Sequence, residues 1–231
     1  MSMHKLLFLL VCLAGVNNSL AQCNEFYQFK EGSSWEMESF DAKGKLTGTN
    51  KQSVSSFNEQ GDSFVAKVHS IMTDKKGKEV MQNDLEFKCE NGTMIIDMRN
   101  FINEEQMKAF QNYELTMESE NLEMPSILTV GQTLKNGLVT LTASNSPIPM
   151  LMTVSITDRK VEGKEKVTSP AGTFECYKIT SNSTIQTKMG IGMTVEFSTI
   201  EWLAPKVAVV KSESYRKGKL QGYSLLTRWK N

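Results

Sequence analysis

Apolar and polar residues alternate with a period of two along most of the chain. Ile191, Met193, Val195 and Phe197 fall on one side of an extended segment and Gly192, Thr194, Glu196 and Ser198 on the other, as in a strand with one buried and one wet face. Met150, Met152, Val154 and Ile156 repeat the pattern, as does the run from Phe64 to Ile71. Further strands are predicted near 35–40, 46–57, 85–89, 94–98, 113–117, 138–141, 174–180, 207–215 and 220–228. The expected fold is mainly β, an antiparallel curved sheet or open half-barrel; a closed barrel or a sandwich fits the same census.

One short helix is expected to pack on this sheet, over about 104–112. Asn103 caps it, Glu104 and Glu105 suit its positive end, Gln106 completes a capping box, and Ile102 can staple onto Met107. Met107 and Phe110 then share an apolar face. Lys-Gly-Lys occurs three times, at Lys43-Gly44-Lys45, Lys76-Gly77-Lys78 and Lys217-Gly218-Lys219, each between strand-like runs. These are expected hairpin turns, in which glycine supplies the positive φ and the lysines keep the tip wet. The two prolines in 144–149 make that segment the best internal break, either a linker or a loop within one sheet system.

The first 21 residues read as a secretory signal peptide. Lys5 precedes the apolar run 6–16, too short to span a bilayer, and Ser19-Leu20-Ala21 gives a small-x-small cleavage site. Residues 22–231 are then a single β-rich exported domain that works outside the cytoplasm. Lipidation of Cys23 is disfavoured by the bulky Gln22 before it. The 26 basic and 26 acidic residues balance, so no dominant field draws in nucleic acid.

Four cysteines and two histidines are present; Cys12 and His4 fall in the leader, leaving Cys23, Cys89, Cys176 and His69. No CxxC spacing occurs, and so sparse a donor set leaves no cofactor or metal site to expect. An odd thiol count in an oxidising compartment allows one pair. Cys23–Cys89 is the expected disulfide, because it would tie down a loose start of chain, whereas Cys176 sits inside a strand as a small hydrophobe. His69 shares a face with Lys67 and is expected to be solvated. Glu104 and Glu105 already have a capping role and diverge on a helix, which removes them as an acid pair. No Gly-x-Ser-x-Gly elbow is present. The chain is therefore not expected to be an enzyme.

Methionine is abundant, with 14 residues, and thioethers are soft enough to hold copper(I), but alternation puts Met150 and Met152 on an apolar strand face instead. Unbranched methionines also suit walls that adapt to floppy apolar ligands. The candidate ligand face is Met150, Met152, Val154, Ile191, Met193, Val195 and Phe197.

Two phrases carry a family resemblance: Ser169-Pro170-Ala171-Gly172-Thr173-Phe174-Glu175-Cys176-Tyr177, and Glu201-Trp202-Leu203-Ala204-Pro205-Lys206-Val207 with the strand after it. Together with the opening Cys23-Asn24-Glu25-Phe26-Tyr27, they resemble the TapB-like, DUF3108 family of exported Gram-negative bacterial proteins of unknown function. More distantly, the chain is similar at the level of fold to the lipoprotein carriers LolA and LolB, whose curled half-barrel holds acyl chains. The resemblance implies a periplasmic or cell-surface location. The expected function is non-catalytic binding of an apolar or amphipathic ligand, a lipid among them, by a monomer without a membrane span. The alternative is an envelope-assembly protein with a filled core.

Overall fold

The computed structural model describes residues 23–102, 107, 110, 112–148 and 150–231, so the expected signal segment lies outside the described residues. The strands are β1 Ser34–Asp41, β2 Leu46–Gln60, β3 Ser63–Asp74, β4 Glu79–Glu90, β5 Thr93–Ile96, β6 Glu114–Glu120, β7 Leu122–Pro125, β8 Gly137–Ser144, β9 Met150–Ser169, β10 Gly172–Met189, β11 Ile191–Ala204, β12 Ala208–Arg216 and β13 Lys219–Lys230. All 13 belong to one sheet, in the order β6-β8-β9-β10-β11-β12-β13-β1-β2-β3-β4-β5-β7, and every pairing is antiparallel.

The two edge strands, β6 and β7, are consecutive in the chain, with Asn121 alone between them. One residue cannot span an open sheet, so the sheet must curl until its edges meet, giving a nearly closed barrel. Asn121 holds the junction, its Oδ1 accepting the Met98 N–H at 3.2 Å. Where β8 has not yet begun, segment 126–136 runs beside β9 and fills the seam. Gly131 N–H donates to the Val161 carbonyl at 2.7 Å, Val161 N–H to Gln132 at 2.9 Å, and Leu134 N–H to Arg159 at 2.8 Å.

Antiparallel register sorts the connections into two ends. The tip end carries turns 42–45, 75–78, 190 and 217–218 and the loop 145–148; the base end carries turns 61–62, 91–92, 170–171 and 205–207. The segment 144–149 thus connects the neighbouring strands β8 and β9.

The base half is filled from within by the start of the described chain. Phe26 and Phe29 are buried, and the Phe29 ring meets Trp35 edge-on at 5.2 Å and packs on Phe64 and Phe87. Burying each such ring contributes about 2 kcal/mol. Asn24 is fully buried but satisfied, donating to the Met124 carbonyl at 2.9 Å and accepting from Phe26 N–H at 3.0 Å. The Trp35 indole donates to the Val207 carbonyl at 3.1 Å. Cys23 and Cys89 are disulfide-bonded, as expected, which also takes the Cys23 sulfur out of reach of acylation. Cys176 is free and buried; burial first, then Glu175 and Glu165, push its thiol up to about 11. A second core, built on Met98, Phe110, Leu122, Val139, Leu141, Met150, Met152 and Val154, lies under β6, β8 and β9.

Two expectations change. The strand expected over 94–98 stops at Ile96, because Asp97 turns the chain into a short 3-10 helix, Met98–Phe101, by accepting the Arg99 N–H at 2.9 Å. The helix expected over 104–112 falls largely outside the described residues. Of its apolar face, Phe110 is buried and Met107 half-buried against the second core, and the 3-10 helix is the helical element whose bounds are described.

Candidate ligand-binding face

Residues directly opposed in an antiparallel pair project to the same side. Register opposes Met152 to Thr187 and Thr187 to Met193, Val154 to Ile185 and Ile185 to Val195, and links Met150 through Met189 to Ile191 and Ile156 through Ser183 to Phe197. The seven predicted ligand-face residues therefore share one face of β9–β11. Their surroundings differ sharply. Met150, Met152 and Val154 are buried in the second core, whereas Ile191 is 91 % and Met193 62 % exposed, with Val195 and Phe197 half-buried. The last pair joining β11 to β12 is Ser198 with Tyr215, so the first seven residues of β11 run on beyond the end of that neighbour. One apolar row is thus packed at β9 and open at β11.

Towards the base the same face turns polar. One row across the sheet reads Val161, Ile179, Glu201, Ser212, Ser224, Ser39, and the row above it Ser181, Thr199, Ser214, Gly222. Val161 and Ile179 are buried, which identifies this as the inner face. The hydroxyls of Ser39 and Ser224 meet at 2.8 Å and those of Ser181 and Thr199 at 2.6 Å.

Three ionisable groups interact at the floor of this wall. Arg159, buried, donates through Nη1 to the carbonyls of Glu123 at 2.9 Å and Lys135 at 2.6 Å. Burial pulls its pKa down, opposed by the negative charge of Glu201 and by Tyr27. Glu201 is half-buried; burial raises its carboxyl pKa and Arg159 draws it back. The Tyr27 hydroxyl is raised by burial, then by Glu201. Among the described residues none donates a hydrogen bond to the Glu201 carboxylate. The arrangement can hold a ligand with an apolar tail along β11 and a hydrogen-bonding head over the hydroxyl rows.

Sequence reasoning missed this polar wall. Its signal was small polar residues at alternate positions, Ser212 with Ser214 and Gly222 with Ser224, in strands assigned from their apolar residues. Phe197 also lines a more polar cleft of about 600 Å³ with Asp158, Asn182 and Arg216. A cleft of about 660 Å³ lies at β1–β3 and β13 and includes His69. His69 lies on the wet face of β3, its Nδ1 2.7 Å from Asp84, whose side chain is 78 % exposed. Among the described residues no three His, Cys, Asp or Glu side chains gather as metal ligands, and no helix is long and apolar enough to cross a membrane.

The DUF3108-like family model matches residues 30–226. Two solved structures share the fold. A candidate exported protein of Bacteroides fragilis with a YmcC-like fold is 24 % identical with a TM-score of 0.70, over 90 % of this chain and 100 % of that one. A candidate lipoprotein of Parabacteroides distasonis is 23 % identical with a TM-score of 0.72, over 91 % and 100 %. No curated protein matches the chain.

Proposed function

Because the chain belongs to the DUF3108-like family, whose members carry no assigned activity, its function has to be argued from the barrel itself, and we propose that it is an exported, non-catalytic binding protein for an amphipathic ligand. One observation carries this reading: the inner apolar row that is sealed at Met150 and Met152 lies open at Ile191 and Met193, next to a hydroxyl-lined wall. An acyl or similar chain would lie along Met193, Val195 and Phe197, with its head over Ser181, Thr199, Ser212 and Ser224. Export is supported by the signal-like start of the sequence and by the descriptions of the two structural neighbours.

Titration with a fluorescent long-chain fatty acid tests the reading. Saturable binding is expected, with Met193→Glu weakening it by about tenfold, since a charge against an apolar chain must be desolvated. Met193 is exposed, so the variant folds normally; unsaturable binding, or equal binding by the variant, would contradict the reading.

A second reading, an envelope-assembly protein without a small-molecule ligand, is favoured by the filling of the base half by Phe26, Phe29 and Trp35. It predicts no saturable titration.

A further inference from the structure

The three Lys-Gly-Lys turns are far apart in sequence, but β12-β13, β1-β2 and β3-β4 are adjacent hairpins in the sheet, and all three turns close at the tip end. Two are built alike. Asp41 Oδ1 accepts the N–H groups of Lys43 and Lys45, both at 2.9 Å, and Asp74 Oδ1 accepts those of Lys76 at 2.8 Å and Lys78 at 2.9 Å. The third is a two-residue turn with positive φ at both Lys217 and Gly218. Two glycines press the hairpins together. A Cβ on Gly222 would stand 2.5 Å from the Phe40 carbonyl oxygen, and one on Gly48 2.4 Å from that of Thr73. Backbone therefore approaches backbone just behind each pair of neighbouring tips.

The result is a concentration of charge in a chain whose formal net charge is zero. Lys43, Lys45, Lys75, Lys76, Lys78, Arg216, Lys217 and Lys219 are all exposed on the three tips, against Asp41, Asp74 and Glu79 on the same segments. Asp158 and Glu196 flank the third tip across the cleft they share with Arg216 and Lys217. The Asp41 carboxyl is held below its usual range, chiefly by the Lys45 N–H, and both aspartates spend a carboxylate oxygen on their own turn. Both therefore stay ionised, and eight basic against five acidic side chains leave an excess of three positive charges at this end. The apolar β10-β11 tip, with Ile191 and Met193, and Ile148 in the β8–β9 loop open at the same end.

We propose that this tip end docks on an anionic membrane surface, the lysine turns facing the lipid phosphates and the exposed Ile191, Met193 and Ile148 reaching the interfacial layer. Clustered basic residues are drawn to such a surface over about a Debye length, and flanking apolar side chains add reversible burial. Docking there would also turn the open end of the inner face towards lipid. The proposal rests on the tips and not on ligand binding, so either can fail alone.

Vesicle flotation of protein purified after export tests it, with neutral phosphatidylcholine vesicles compared to vesicles containing about 30 % phosphatidylglycerol. Protein is expected to float with the anionic vesicles only, and to be released at about 0.5 M salt. Reversing Lys43, Lys45, Lys76, Lys78, Lys217 and Lys219 to Glu is expected to lower the bound fraction by about tenfold or more. Reversing Lys30, Lys166 and Lys206, exposed away from the tip end, is expected to leave it unchanged. All nine positions are exposed lysines, and single-pair reversals at each tip should give partial losses if the multiple variant folds poorly. No recruitment, equal recruitment to neutral vesicles, or equal loss from both sets of reversals would overturn the proposal.

Discussion

Arg159 crosses the seam of the barrel to donate a hydrogen bond to the carbonyl of Glu123, 36 residues away, at 2.9 Å. Its Nη1 also serves Lys135, so one guanidinium joins β9, the edge strand β7 and the segment that leads into β8. Arg159→Ala would remove a buried side chain and leave the carbonyls of Glu123 and Lys135 without their shared donor, and is expected to destabilise the protein by about 3 kcal/mol. Arg159→Lys should recover less than half, since an ammonium lacks the planar fork. Urea unfolding measures both; a loss below about 1 kcal/mol for Arg159→Ala would show that the seam holds without it.

Glu201 makes stability depend on pH in a definite direction. Burial raises its folded-state pKa above the ordinary value of 4.5, so the native state binds its proton more tightly than the unfolded chain does. The associated stability is full below that ordinary value and is lost as pH rises through the folded pKa. Glu201→Gln stays neutral throughout. The variant should therefore gain on the wild type as pH rises from about 4 to 8, and denaturation curves showing a constant or shrinking gap would refute this.

The disulfide closes a loop between Cys23 and Cys89, 66 residues apart, and pins the segment that fills the base half. In the chain-entropy model its removal costs about 4 kcal/mol. Cys89→Ser, or reduction, is expected to lower the unfolding midpoint accordingly. A change under about 1 kcal/mol would mean that Phe26 and Phe29 hold the segment unaided.

His69 Nδ1 lies 2.7 Å from the exposed Asp84 carboxylate on the outer face. Exposed pairs contribute about 0–1 kcal/mol, so His69→Ala should leave thermal stability and ligand binding nearly unchanged. Loss of binding would place the ligand in the outer cleft instead of on the inner face.

Much of the sheet was legible because inward residues such as Phe64, Ala66 and Val68 are apolar where the outward Lys67 and His69 between and beside them are polar. What escaped notice departs from that rule for physical reasons. The second half of β9, from Thr157 to Ser169, is polar along most of its length and is held by pairing with β10 and segment 126–136, not by a continuous apolar face. β7 is four residues long and ends in Pro125, which an edge strand tolerates. The common face of Met193 and Met152 was implied by alternation, but their opposite exposures follow from where β12 ends, a property of register that no local pattern encodes. The hydroxyl wall and Glu201 were hidden for the same reason, since serine on a strand looks like its wet side until the closed sheet turns that side inward.

Native mass spectrometry of the protein purified directly after export tests the central claim, an amphipathic ligand on the inner face, most directly. A bound species of lipid-like mass, displaced by excess fatty acid and missing from Met193→Glu, is the expected result; a bare polypeptide mass together with no saturable fatty-acid binding would contradict it.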